Sequence, residues 1–229
     1  MKILITGASR GIGLFLFKKF KEEGQAVFGT YNGTEPEVNV AEFFTRVDVS
    51  NTKEVQNWIE KSVCEEDEIV LINCAGINYN SLARRADVDD WMNLINVNLG
   101  GTFRAINAVL PLMYKKNFGR IINFSSIVAQ KGVVGTSAYA ASKSALWGMT
   151  KTIAVENGQK GITINAINLG YINAGMTIND VSEKLRAEII EQIPSKKFGD
   201  LEDVYKTVRY LIDTEYVNGT SIDLNGGLL

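Results

Sequence analysis

Tyr139 and Lys143 stand four residues apart in "SAYAASKSAL", residues 137–146, a stretch of small residues with helical character. Residues at i and i+4 share one face of a helix. A phenol and an ammonium on that face could move a proton, the cation favouring the phenolate. The chain has no histidine, so proton transfer near neutral pH needs another group. Tyrosine alone is poorly suited, because its ordinary pKa is about 10. Ser126 lies thirteen residues before Tyr139, and Asn98 sits in "NVNLGG". Taken singly, these four have plain structural readings: a packing aromatic, a solvated charge, a strand-end cap and a turn residue. Their order downstream of a glycine-rich loop makes them a candidate set.

That loop is "ITGASRGIG", with Gly7, Gly11 and Gly13. It follows an apolar run and opens a helical pattern, the context in which glycines let the backbone approach a pyrophosphate. The helix N-terminus adds N–H groups and a partial positive charge. The spacing is GxxxGxG, not the GxGxxG of the general dinucleotide fingerprint. At the end of the second strand an Asp or Glu would bond the 2′-hydroxyl of the adenosine ribose. Here Thr30, Tyr31 and Asn32 stand instead, and Arg10 lies inside the loop. NADPH is therefore expected over NADH, with Glu35 and Glu37 as the opposing signal.

The elements that must position these residues are legible as alternating patterns. Strands are expected at "KILIT", "AVFGTY", "FFTRVDV", "EIVLINCAG", "GRIINFSS", "GITINAINLG" and "TSIDLNGG". Helices are expected at "LFLFKKFKEEG", "NTKEVQNWIEKSV", within "WMNLINVNLGGTFRAINAVLPLMYKKN" (with Pro111 a possible kink), and at "SAYAASKSALWGMTKTIAVEN", "VSEKLRAEIIEQI" and "LEDVYKTVRYLI". Such alternation implies parallel pairing with right-handed crossovers. The expected fold is α/β, a single doubly wound, Rossmann-type domain over residues 1–229. Its sheet would be mostly parallel and seven-stranded, with helices on both faces. Between the second and third strands only "NGTEPEVNVAE" is available, which is short for a crossover helix and predicts a loop or single turn.

Composition bounds the alternatives. With 45% hydrophobic and 22% charged residues the chain is ordinary for a globular protein. A net charge of −2 supplies no field for nucleic acid. Cys64 and Cys74 are too few for a disulfide framework, and neither belongs to a CxxC pair. No metal centre is expected. No apolar run approaches the ~20 residues that span a bilayer. The opening "MKILITGASRGIG" passes straight from a short apolar run into glycine chemistry, so a soluble, cytoplasmic chain is expected.

Over essentially its whole length the sequence resembles the short-chain dehydrogenases/reductases. The motifs that carry this are "TGASRGIG", Asp48 with Val49, "NCAG", Asn98, Ser126 and "YAASK". "GRIINFSS", "KGITINAINLG" and the "LNGG" ending resemble the 3-oxoacyl-[acyl-carrier-protein] reductase branch, although sugar and polyol enzymes share most of these motifs. The resemblance implies Tyr139 as general acid and Ser126 as the group that positions the substrate carbonyl. Asn98 would hold a relay water, and Lys143 would bond the nicotinamide ribose. Gly7, Ser9, Arg10, Gly11, Ile12 and Gly13 would form the phosphate end of the cofactor site. Thr30, Asp48 and Val49 would lie at the adenosine. Asn73, Ala75 and Gly76 would line the middle, and Ile172 would reach the carboxamide. A charge about 4 Å from the phenol, at an effective dielectric near 20, contributes roughly 4 kcal/mol. That is about 3 pKa units, enough to bring Tyr139 towards neutrality before desolvation opposes it.

Two departures from the pattern stand out. Leu169 and Ala174 occupy positions where the family usually has Pro and Thr, which predicts one lost side-chain bond near the carboxamide. The short connection after the second strand is the other. An acyl-carrier-protein substrate, being acidic, would want a basic rim; Lys115, Lys116, Arg120, Lys131 and Lys160 are the candidates that could cluster by the substrate entrance, a scatter of solvated charges being the plainer reading. A sugar, polyol or other small hydroxy compound is the alternative substrate, and a cofactor-binding protein without catalysis the remote one. The helices around Phe103–Met113 and Ala138–Ile153 are apolar further round than one face requires. A homo-oligomer is expected, and the resemblance implies a tetramer.

Overall fold

The computed structural model describes residues 1–175 and 182–229. These residues form seven strands: β1 (Lys2–Thr6), β2 (Ala26–Tyr31), β3 (Phe44–Arg46), β4 (Ile69–Asn73), β5 (Gly119–Ser126), β6 (Ile162–Leu169) and β7 (Ser221–Leu224). The sheet order is β3-β2-β1-β4-β5-β6-β7, and every pairing is parallel. Strand order reverses between β1 and β4, so the crevice above their C-terminal ends is where such sheets bind ligands.

Among the described residues seven α-helices accompany them: α1 (Gly11–Glu22), α2 (Thr52–Ser62), α3 (Val88–Ile95), α4 (Gly101–Lys116), α5 (Ser137–Asn157), α6 (Glu183–Gln192) and α7 (Leu201–Asp213). Val181, expected to open the helix that starts here at Glu183, lies outside the described residues. Side chains alternate faces along a strand. On β1 and β4, Ile3, Ile5, Val70 and Ile72 pack with Leu16, Phe17 and Phe20 of α1 and with Val204 and Val208 of α7. Their neighbours Leu4, Ile69 and Leu71 pack on the other face with Trp58 of α2, Ile106 and Val109 of α4, and Ile153 of α5. Two cores, one on each face, make the fold doubly wound.

The connection between β2 and β3 is a 3₁₀ segment, Val38–Phe43, consistent with its length. The long helical stretch breaks elsewhere than at Pro111. That proline sits inside α4, which continues to Lys116, whereas a π-helical segment, Asn96–Gly100, joins α3 to α4. A π turn inserts one extra residue into the helix and re-aims the side chains beside it, and Asn98 lies in it. No helix among the described residues is long and apolar enough to cross a membrane.

Candidate active site

The loop after β1 is held by its neighbours' side chains. Gly7 N–H donates to Thr30 Oγ1 at 3.0 Å, and Ala8 N–H donates to Thr30 O at 2.8 Å. Thr6 Oγ1 accepts from Cys74 N (3.2 Å) and Ala75 N (3.1 Å), tying the loop after β4 to the loop after β1. Gly7 has φ +63°, and a Cβ there would lie 2.7 Å from Ala75 Cα. Gly13 has no such conformational need, but a Cβ on it would meet Gly7 O at 2.4 Å. Only glycine lets the helix and the two loops close up this far.

The start of α1 is built for an anion. Arg10 is its N-cap residue, in extended conformation, with no side-chain cap bond and no acid in the first turn. By contrast Asn51 caps α2, Asp87 caps α3 and Ser182 caps α6. The unoccupied N–H groups of α1 and its dipole point at the cleft, a setting that stabilises phosphate. The glycine cradle and the uncapped helix together fit the diphosphate of a dinucleotide.

The cleft has a volume of about 1040 Å³. It is walled by all the sequence-nominated residues except Asn73 and Asn98. Both stand behind the wall. Asn73 is buried, and its Nδ2 donates to Asn123 Oδ1 at 2.9 Å along the sheet. Asn98 is fully buried. Its Oδ1 accepts from Ile77 N at 2.8 Å and its Nδ2 donates to Ile77 O at 3.0 Å, so its side chain clamps the backbone after Gly76. Its main-chain carbonyl accepts from Thr102 Oγ1 at 2.8 Å. Thr30 reaches the cleft wall with its hydroxyl spent on Gly7, so it acts through the loop. Asp48 forms a tight turn, its Oδ1 accepting from Ser50 N and Oγ. Ile172 is flanked by the bonds of a bridge to Gly199, which use Tyr171 O and Asn173 N and leave the N–H of Ile172 directed to the other side.

Helix α5 brings Tyr139 and Lys143 to the same wall. Lys143 is buried, its Nζ donates to Phe124 O at 2.7 Å, and it lies 5.5 Å from the centre of the Tyr139 ring. Ser126 Oγ, at the end of β5, accepts a long 3.4 Å bond from Val128 N, which leaves its own proton available. The electrostatics correct the sequence expectation. Burial pushes the Tyr139 phenol up to about 12, rather than the lysine bringing it down. Burial likewise lowers the Lys143 ammonium to about 8. Desolvation is the leading cause at both groups and acts against both charges. The Cys74 thiol is also pushed up by burial.

The proposed basic rim is a second correction. Lys115 and Lys116 end α4, Arg120 lies near the start of β5 and Lys160 just precedes β6, so all four sit at the N-terminal edge of the sheet. The cleft is at the C-terminal edge. Arg120 is buried besides, donating to Ile212 O, Gly119 O and Gly161 O. Of the five, only Lys131 follows a strand end on the cleft side.

The residues 1–185 match the family model described as short chain dehydrogenase. The chain belongs to that family. It is an oxidoreductase, and the nicotinamide cofactor of such enzymes fits the glycine cradle and the uncapped α1. The chain is 37% identical over 238 residues to "3-oxoacyl-[acyl-carrier-protein] reductase FabG" of Staphylococcus epidermidis, with 98% of this chain and 97% of that protein covered. Proteins of the same name from Staphylococcus aureus and Salmonella typhimurium are 34% and 33% identical, each with 98% of this chain and 96% of their own length covered. The short-chain dehydrogenase resemblance read from the motifs thus holds across the chain.

Several cleft residues were not nominated from sequence. Leu185 and Ile189 of α6, Val133 and Val134 before α5, and Tyr171 after β6 all line it. The i, i+4 spacing of Leu185 and Ile189 announces a helix face, but not that this face overhangs the cleft.

Proposed function

We propose that the protein is an NADPH-dependent reductase of a 3-oxoacyl thioester, with the carrier-bound form as its substrate. The observation that carries this reading is the composition of the cleft wall. Tyr139 shares its cleft with Val133, Val134, Leu185 and Ile189, a surface suited to methylenes. The names of the full-length relatives point the same way. The bound cofactor supplies a hydride to the carbonyl carbon. Tyr139 Oη gives its proton to the carbonyl oxygen, and a phenol held protonated up to about 12 is in the right state to do so. The Ser126 hydroxyl donates to the same oxygen and fixes the carbonyl. Lys143 lies beside the phenol with its charge poised near pH 8, so it can steady the phenolate that remains and pass on a proton. Asn98 acts by locking the Ile77 backbone.

Three exposed carboxamides, Asn78, Asn80 and Asn93, also line the cleft and favour a second reading, a small hydroxy compound. Purified enzyme offered acetoacetyl thioester and a panel of sugars and polyols separates the two. Turnover of the thioester at least a hundredfold more efficient than any sugar is expected; the reverse order overturns the thioester reading.

Support for NADPH comes from the adenosine end. Glu37, the nearby acid, is paired with Lys18 at 2.9 Å. Asn32 and Thr34 line the cleft, and among the described residues Arg10 has no ion pair. Arg10→Ala is expected to weaken NADPH binding about tenfold, the value of one charge-assisted contact, and NADH binding less than twofold. Fluorescence titration of both nucleotides reads this; equal affinity of the unaltered enzyme for the two sinks it.

A cytoplasmic homotetramer completes the proposal. Met92 and Phe103 are 53% and 49% exposed on α3 and α4, and Ala145 and Gly148 are exposed on α5. A shared apolar face of this kind suits a two-fold interface. Light scattering coupled to size exclusion is expected to give about four times the 25.2 kDa chain mass. The mass of a single chain at micromolar concentration rejects the assembly.

A further inference from the structure

We propose that Trp147 is a positioning residue for Lys143, acting through Ser125 in a side-chain network that runs to the edge strand β7. This rests on the reading of Lys143 and Tyr139 as the proton-transfer pair. Trp147 lies one helical turn after Lys143, which lies one turn after Tyr139. The indole Nε1–H is shared between Ser125 Oγ at 3.2 Å and Asn168 Oδ1 at 2.8 Å. Ser125 Oγ in turn donates to the main-chain carbonyl of Lys143 at 2.9 Å. Asn168 Nδ2 donates to Asp223 Oδ1 at 2.7 Å, and Gln130 Nε2 donates to the same oxygen at 3.0 Å. The network therefore joins β5, α5, β6 and β7. Ser125 and Asn168 are buried, and Asp223 is exposed.

Two bonds fix the Lys143 turn against β5, and they come from consecutive strand residues. Lys143 Nζ donates to Phe124 O, and Ser125 Oγ donates to Lys143 O. The first aims the ammonium and the second sets the height of the helix turn that carries it. The Trp147 N–H donates to the same Ser125 oxygen and so holds the side chain in the orientation that makes the bond to Lys143 O. Buried hydrogen-bond chains of this kind act as units, because a missing member leaves its neighbour unpaired in a low-dielectric surrounding. A displaced Lys143 is less buried, so its ammonium, which burial lowers to about 8, would keep its proton to higher pH while standing less well placed to steady the Tyr139 phenolate.

The test is a set of variants, Trp147→Phe, Ser125→Ala and the double variant, assayed for kcat, KM and the pH dependence of kcat in the reduction direction. Each single change is expected to lower kcat about fivefold, leave KM for the thioester within twofold, and move the alkaline fall of the profile upward by at least half a pH unit. The double variant should match the worse single one within twofold, because both break the same chain. Asp223→Ala is expected to show a two- to threefold fall in kcat, and Asp223→Asn, which keeps Oδ1 as an acceptor, to behave as the unaltered enzyme. Should Trp147→Phe fail to fold, Ser125→Ala and the Asp223 pair carry the same comparison. Unchanged kcat and pH profile in Ser125→Ala, or effects that multiply in the double variant, overturn the proposal. Tyr139→Phe in the same assay separates this from the reading beneath it. If Tyr139→Phe is inactive while Ser125→Ala is unaffected, only the positioning role fails; if Tyr139→Phe is active, the proton-transfer pair itself is wrong.

Discussion

Tyr139→Phe is expected to lower kcat by roughly 10²–10⁴-fold, the range that a positioned general acid contributes. The change removes one oxygen. The ring stays on the α5 face, and the glycine cradle and uncapped α1 that fit the cofactor are untouched. Cofactor affinity, read by fluorescence titration, should stay within about threefold, since the cradle and the helix start that would hold the nucleotide are unchanged. Loss in kcat without loss of binding marks an interaction used only in the transition state. Retention of more than a tenth of the activity would falsify the acid assignment. Retained activity would also mean that some other proton donor serves the carbonyl in a chain without histidine.

Lys143→Met carries the second large effect, and its two readouts move in opposite directions. Activity should fall at least a hundredfold, because the only cation beside the phenol among the described contacts is gone. Stability of the cofactor-free protein should rise. Burial lowers the Lys143 ammonium from 10.5 to about 8, which corresponds to roughly 3 kcal/mol against the charged form at neutral pH. Methionine has no such cost, but it leaves Phe124 O without the 2.7 Å donor, offsetting about 1–2 kcal/mol. A net gain of about 1 kcal/mol is expected, or about 2–4 °C in Tm for a chain of this size. The pH dependence fixes the cause. Between pH 8 and 10.5 the unfolded lysine holds a proton that the folded one has lost, so the native protein gains stability as pH rises through that window. The Met variant lacks that gain, so its advantage should shrink above pH 8, vanish near about pH 9 and turn into a deficit by about 10.5, where only the lost bond to Phe124 O remains. Above about 10 the Tyr139 phenol, raised to about 12 in the fold, pulls both proteins down alike. A Met variant less stable than the parent at pH 7, or an advantage independent of pH, rules out desolvation as the origin.

The sheet was legible because a strand buried on both faces reads as an unbroken apolar run, as "KILIT" and "EIVLIN" do. The third strand was read too long. "FFTRVDV" pairs only over Phe44–Arg46, because the chain leaves the sheet edge to place Asp48 in its turn with Ser50. The π segment at Asn96–Gly100 left no trace in the sequence, since it is a change in backbone bonding and not in side-chain pattern. Pro111, the visible irregularity, is absorbed within α4.

At the site, residue identities were legible and their partners were not. The spacing of Tyr139 and Lys143 gave their shared wall. It could not give the balance of their charges, which depends on how much water the closed fold excludes. Nor could it show that the carboxamides of Asn73 and Asn98 face Asn123 and the Ile77 backbone instead of the cleft. The placement of Lys115, Lys116 and Lys160 was readable after all. Residues just before a strand of a parallel sheet lie at its N-terminal edge, and the cleft is at the other.

The close approach at Gly7 also sets how freely this sequence can drift. In a library randomised there, every replacement puts a Cβ 2.7 Å from the Ala75 backbone and holds φ at +63°, so recovered active clones should carry one codon family only. Gly33, twenty-six positions on, has nothing within 4 Å of its own would-be Cβ. Randomised in the same way, it should return a broad spectrum. Two glycines lining the same cleft thus differ in what selection can do with them, and the difference lies in a neighbour's backbone rather than in the residue itself.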